Sequence, residues 1–272
     1  MQKRGQLFLI GGIIVVLVGV GLFLAMRLSS PTAEKAAENS QEAVPPQFDK
    51  EAIQAQLEAG DYAAARDALQ QVVAADAGNA EAHFLLGLAR FNLGEYPEAR
   101  ESFLQALELE PERASAVHHN LGVLAYQTGE METAVQEFKS ALEADPNDPD
   151  SHYQLGATYL QIASSTSDSS YLTQAEAEFQ QVLKLSPGKP EALVGLGTLY
   201  MSQNKVDEAI TLLEQAVQAN PEMREALYAL GLAYYSKGET ALAQETLQKF
   251  LDTQPPERWA KEAQDILEQV GP

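Results

Sequence analysis

The feature that most constrains this chain is a spacing. Small alanines stand at Ala65, Ala99, Ala134, Ala175, Ala209 and Ala243, separated by 34, 35, 41, 34 and 34 residues. A glycine preceded by leucine recurs as Gly87, Gly122, Gly156, Gly197 and Gly231, and a proline as Pro111, Pro146, Pro187, Pro221 and Pro255. One period, Ala80–Arg113, shows what each unit is. Phe84, Leu88 and Phe91 share one helical stripe, and Gly94 breaks that helix. Pro97 sits just inside the next helix, where its missing N–H is harmless. Ala99, Phe103 and Ala106 then fall on one apolar face, and Pro111 ends the unit. Two antiparallel helices this short cannot bury both faces alone, so each unit needs its neighbours.

These markers resemble the tetratricopeptide repeat (TPR) family, whose pattern is W-x2-L-G-x2-Y, then A-x3-F, then P. The resemblance implies an all-α fold, a right-handed superhelix of helix–turn–helix repeats. The units read as 46–79, 80–113, 115–148, 149–189, 190–223 and 224–257, six in all. His83, His118 and His152 stand where the family has Trp, and Arg90 and Ala125 where it has Tyr. The opening helix of 46–79 is degenerate, with Asp49, Ala52, Ile53 and Gln56 at the marker sites, as terminal repeats tend to be. In 149–189 seven extra residues near Ser164–Ser170 are expected to lengthen the turn between the helices. That stretch reads either as a plain surface loop or as a partner contact or modification site. Residues 258–270 form a last amphipathic helix, with Trp259, Ala263, Ile266, Leu267 and Val270 on its apolar face. It resembles the solvating helix that closes such arrays.

The N-terminus is of another kind. Residues 1–6 are short and basic, and 7–26 carry no charge, with fourteen Leu, Ile, Val or Phe among twenty positions. As a helix that stretch spans roughly 30 Å, and its insertion energy is about −4 to −8 kcal/mol before the glycines subtract. It is long for a cleavable signal core, and Ala25-Met26-Arg27 is a poor cleavage site, so an uncleaved signal anchor is expected, with cleavage as the alternative. Lys3 and Arg4 on one side nearly balance Arg27 and Lys35 on the other. Basic residues ahead of a long apolar run are the arrangement of an export signal, which favours the repeats outside the cytoplasm of a bacterial inner (plasma) membrane protein. Gly5, Gly12 and Gly19 repeat every seven residues, so they form either a helix–helix interface in the membrane or ordinary membrane-helix composition. Residues 27–45 have almost no large apolar side chain, Leu28 and Val44 apart, and read as a flexible linker.

Charge and missing motifs narrow the function. The net charge is −21, and residues 46 onward hold 14 basic and 36 acidic side chains, a surface that repels phosphate backbones and argues against nucleic acid. The absence of Cys removes disulfides, thiolate metal sites and Cys nucleophiles. His83, His118 and His152 recur one repeat apart at a packing position, too far apart for one metal ion. No nucleophile elbow, P-loop, zinc motif or dinucleotide fingerprint occurs, so neither an enzyme nor a cofactor is expected.

The resemblance also implies where a partner binds. In TPR arrays the fifth, ninth and twelfth residues of each first helix line a concave groove. Here these are Phe84, Leu88 and Phe91; His119, Val123 and Tyr126; Tyr153, Ala157 and Leu160; Val194, Thr198 and Met201; and Tyr228, Leu232 and Tyr235. The strip is apolar and aromatic and lacks the Lys and Arg that family members use to clamp a C-terminal carboxylate. Part of it must pack adjacent helices. The rest suits a protein or peptide with apolar anchors and basic flanks. The function expected is a single-pass membrane scaffold or adaptor, resembling bacterial envelope TPR proteins that assist secretion or complex assembly. The alternatives are a self-assembling, homo-oligomeric structural membrane protein and a cytoplasm-facing adaptor of opposite topology.

Overall fold

The structure, a computed structural model, describes residues 48–166 and 168–271. The apolar stretch 7–26, the linker 27–45 and Gly5, Gly12 and Gly19 lie outside the described residues. Among the described residues no helix is long and apolar enough to cross a membrane.

Those residues form an all-α fold of thirteen α-helices and one 3-10 turn, without a strand. In order they are α1 (Lys50–Glu58), α2 (Tyr62–Ala75), α3 (Ala80–Asn92), α4 (Tyr96–Leu109), α5 (Ala114–Gln127), α6 (Met131–Ala144) and α7 (Pro149–Thr166). They continue as α8 (Ser170–Leu185), α9 (Pro190–Ser202), α10 (Val206–Ala219), α11 (Arg224–Lys237), α12 (Thr240–Asp252) and α13 (Glu257–Val270). The chain divides into two compact units within α5, one ending at Leu124 and the other beginning at Ala125. In the first, α1 packs on α2, α2 on α3 and α3 on α4. In the second, each helix from α6 to α13 packs on the next, and the first helices of successive repeats also touch, α7 with α9 and α9 with α11.

Local chemistry sets the helix starts and ends. Asp49 and Asn79 each turn a side-chain oxygen back to a backbone N–H three residues on, at Ala52 (3.0 Å) and Ala82 (2.9 Å). Pro97 lies in the first turn of α4. The turn after α11 is made by Gly238, whose φ of +84° suits a residue without a Cβ.

The recurring markers are the core. All six alanines are completely buried, and the residues four positions later, among them Leu69, Phe103, Phe138, Phe179, Leu213 and Leu247, are at most 1% exposed. The leucine-preceded glycine lets that large side chain approach its own first helix. A Cβ on Gly87 would stand 2.6 Å from the Phe103 ring, and one on Gly231 2.6 Å from Leu247. The 34-residue period is therefore a packing period, small residue against large.

The insertion in 149–189 differs from expectation. The turn is not lengthened: α7 runs for 18 residues to Thr166, and α8 starts at Ser170 and runs for 16. The extra residues extend both helices because Leu160, Ile162 and Ala163 keep an apolar face buried along the added turn. The hydroxyls of Ser164, Ser165 and Thr166 donate to carbonyls three or four residues back, which reconciles a serine-rich segment with a helix.

Candidate peptide-binding surface

The fifteen side chains expected to line a groove do not share one environment. Eleven are half-buried: Phe84, Leu88, Phe91, His119, Val123, Tyr126, Ala157, Thr198, Met201, Leu232 and Tyr235. Tyr153, Leu160, Val194 and Tyr228 are buried, at 7%, 9%, 2% and 6% exposure, and present little surface to a ligand. The reason is aromatic and aliphatic packing. Tyr153 lies 5.9 Å from the Phe179 ring, and Tyr228 lies between Phe250 (5.0 Å) and Trp259, stacked on the latter at 5.7 Å and 11°. Val194 belongs to the cluster built on Leu213 and Leu230.

In the first unit, Phe84, Leu88 and Phe91 edge the cluster of Phe103, Val117, Leu121 and Leu124. Phe84 carries a cation on its face: the Arg113 guanidinium lies 5.8 Å from the ring centre and pairs with Glu81 and Glu110, each at 2.5 Å. This part of the strip therefore holds a positive charge that the groove positions alone did not reveal. In the second unit, Met201 and Tyr235 edge one cluster, and the Tyr235 hydroxyl donates to Gln269 of α13 at 2.9 Å. The Thr198 hydroxyl is buried without a hydrogen-bond partner among the described residues.

Burial raises the pKa of Tyr126 and, more strongly, of Tyr153, where the charges of Glu191 and Glu225 add to the effect. Two further tyrosines, unused in the groove reading, tie helices together. Tyr200 donates to Glu176 at 2.9 Å and Tyr234 to Glu214 at 2.6 Å. Both stand where the family pattern has Tyr, so the motif marked them, but their acidic partners lie 20 or more residues away.

The recurring histidines have one structural role in two of the three repeats. Nε2 of His83 lies 3.2 Å from the Ala77 carbonyl and Nε2 of His152 lies 3.1 Å from that of Pro146, each six residues back across the turn. His152 also meets Glu178 through Nδ1 at 2.6 Å. The imidazole thus braces the turn that enters its own repeat.

Sequence models described as tetratricopeptide repeat match residues 51–114, 90–149 and 194–258, and two further models of that description match 172–215 and 137–169. The chain belongs to the tetratricopeptide repeat family. No curated protein matches this TPR chain in sequence. Solved structures do match its fold. The pilF protein of Pseudomonas aeruginosa is 19% identical, with a TM-score of 0.66, over 79% of this chain and 94% of that one. TTC0263, a TPR protein of Thermus thermophilus, is 21% identical at a TM-score of 0.58, over 69% and 98%. YrrB, described as a TPR protein with an unusual peptide-binding site, is 22% identical at 0.54, over 74% and 99%. At such identities the likeness carries the fold.

Proposed function

We propose that this TPR protein is a scaffold or adaptor that binds a segment of a partner protein along its first helices, through apolar anchors flanked by basic residues. The observation that carries this reading is that each unit, taken by itself, has half-buried apolar side chains at these positions: Phe84, Leu88 and Phe91 in one, and Tyr126, Met201 and Leu232 in the other. They are accessible enough to touch a ligand and apolar enough to gain from being covered. The likeness to a peptide-binding TPR protein supports the same reading. The charge of −21 favours a basic partner, chiefly through the association rate. The stretch 7–26 is proposed to anchor the scaffold in a bacterial inner membrane, with the repeats outside the cytoplasm, where it assists secretion or complex assembly.

Site-specific photo-crosslinking in the native host tests the surface. A benzophenone side chain at Tyr126 or Met201 should yield partner adducts, and one at the exposed Leu104 or Leu242 of the second helices should not. Adducts confined to the second helices would move the binding site there. Alkaline phosphatase fused after Pro272 should be active. An inactive fusion, with an active cytoplasmic reporter at the same place, reverses the topology.

A further inference from the structure

The open side of the first repeat carries a groove that no helix fills among the described residues. It holds about 370 Å³ between α1 and α2, lined by Ala52, Ile53 and Gln56 on one wall and Ala64, Ala68 and Val72 on the other. The Oε1 of Gln56 is buried and has no hydrogen-bond partner among the described residues, a state that costs free energy. The place of Gln56 in the repeat shows what kind of partner is missing. It stands nine residues before the marker alanine Ala65, as Tyr200 does before Ala209 and Tyr234 before Ala243. Those two tyrosines donate to Glu176 of α8 and Glu214 of α10, in each case the second helix of the preceding repeat. For Gln56 the corresponding helix belongs ahead of residue 48.

The sequence ahead of the array has the spacing of such a helix. Five marker alanines are followed twelve residues later by the closing proline: Ala99 by Pro111, Ala134 by Pro146, Ala175 by Pro187, Ala209 by Pro221 and Ala243 by Pro255. Ala33 is followed by Pro45 at the same interval, and Pro31 stands two residues before Ala33, as Pro97 does before Ala99. Helices α2, α4, α6 and α10 all run from three residues before their alanine to ten after it. The same bounds about Ala33 give 30–43, which lies outside the described residues. Nine of those fourteen are Ala, Glu, Lys or Gln, strong helix formers, and Ser29 ahead of them is a favoured N-cap. Alone so short a helix is marginal and needs a surface to lie on. Its inner face is Ala33, Ala36, Ala37 and Ser40, with Ala37 standing where the other repeats have Leu or Phe. A face this small suits a shallow groove walled by Ala52, Ala64 and Ala68. The chain also reaches: residues 44–49 are six, where each later connection between repeats has four. Six extended residues span about 20 Å, twice the spacing of packed helices.

We propose that residues 30–43 form a second helix without a first, a half repeat that docks in the groove between α1 and α2. In it Glu38 stands five residues after Ala33, as Glu214 does after Ala209. Rotation of the Gln56 amide about χ3 presents its N–H to Glu38, which reproduces the bond from Tyr234 to Glu214. The small faces make the contact a light one, in keeping with a first repeat whose α1 has nine residues. Docking leaves three residues, 27–29, between the apolar stretch 7–26 and the array. The repeats are then held close to that stretch instead of swinging from a long tether. The inference does not depend on the peptide-binding surface proposed above.

The chain has no cysteine, so spin labels on Glu42→Cys and Gln70→Cys report a single distance in the full chain in detergent micelles. Glu42 falls opposite Ala33 on a helix, and Gln70 is exposed on α2, so neither label sits in the contact. Double electron–electron resonance should give one narrow distance of about 20–30 Å, the spacing of neighbouring helices plus the label arms. Ala52→Glu with Ala64→Glu, both at exposed groove positions, should spread that distance over roughly 20 Å, the range of a free coil. Ala37→Pro, which breaks the docking helix and leaves the array untouched, should spread it equally. Circular dichroism checks that the array stays folded, and if the groove variant does not fold, Ala37→Pro decides. A broad distribution in the parent leaves the groove to a partner protein and overturns the proposal. A narrow distance that survives the groove variant or Ala37→Pro overturns it too, since the contact then lies elsewhere. So does a narrow distance that disappears on dilution with excess unlabelled protein, which gives the groove to a second copy.

Discussion

The two ends of the array solve the same problem by different means. Among the described residues each terminal repeat has an apolar flank that no further repeat covers. At the N-terminal end the chain reduces what needs covering. Helix α1 has nine residues, and Ile53 is its one buried side chain. It joins the next repeat through a half-exposed ion pair, Lys50 with Glu81. At the C-terminal end the chain adds a helix. Within α13, Ala263 and Ile266 are buried with Leu227, Tyr228, Leu247 and Phe250, while Trp259 stacks on Tyr228. One end is trimmed and polar, the other capped and aromatic. The contrast teaches that a solenoid needs its last apolar face hidden, and that reducing the face works as well as covering it.

The most severe way to break the comparison is to delete each terminal helix. Removing residues 257–272 uncovers Tyr228 and Phe250. At about 1.5–3 kcal/mol for each large side chain returned to water, the loss is about 5 kcal/mol. The melting temperature should fall by about 10–20 °C, with aggregation visible by light scattering. Removing α1 alone should cost about half as much. Equal losses would show that both ends depend on a cap.

Single substitutions sharpen the same contrast. Trp259→Ala should destabilise the protein by about 2–3 kcal/mol, less than a fully buried Trp because the ring is only half-buried. Lys50→Ala should cost about 0.5 kcal/mol or less, since exposed ion pairs contribute little. Urea midpoints at constant slope would measure both. A Lys50 variant that costs as much as the Trp259 variant would mean that the N-terminal end depends on its ion pair.

The smallest effect expected is in pH, where the ends should fail in opposite directions. Burial, then the bond to Glu214, raises Tyr234 to about 12, and burial with the bond to Glu262 raises Tyr228 as well. A tyrosine raised on folding contributes stability that is complete below its unfolded pKa of about 10 and disappears as pH climbs through the folded value. Burial alone would raise Glu81, but Lys50 and Arg113 outweigh it and the net shift is downward. Its contribution is complete above the unfolded pKa of about 4.5 and is lost as pH falls below that. Thermal melts from pH 3 to 12 should therefore show an alkaline limb flattened by Tyr234→Phe and an acid limb flattened by Glu81→Gln. Exchanged dependences, with each variant altering the other limb, would undo the contrast.

Much of this molecule is legible in its amino-acid order. The alanines from Ala65 to Ala243 and the large residues four positions later are all in the core, because a helix buries whatever its 3.6-residue period places on one face. The family pattern also placed the capping helix and the turn at Gly94. Fifteen groove positions followed by the same rule, but the rule gives direction and not exposure. Tyr153 and Tyr228 occupy the same repeat position as Phe84, yet Phe179 in one case and Phe250 with Trp259 in the other cover them. The serine-rich segment of 149–189 looked like a loop because Ser and Thr compete with the backbone; buried Ile162 and Ala163 overruled that competition. The acids at Glu81 and Asp150 were visible as letters, but their pairing with Arg113 and Lys189 shows only in the structure. By itself the sequence determined most of the helices and which face of each is apolar, since both depend largely on neighbours within a few positions. The tertiary structure decided which of those faces stay accessible and which charges find partners, because both depend on side chains from other helices, 20 to 40 residues away, whose approach no local period encodes.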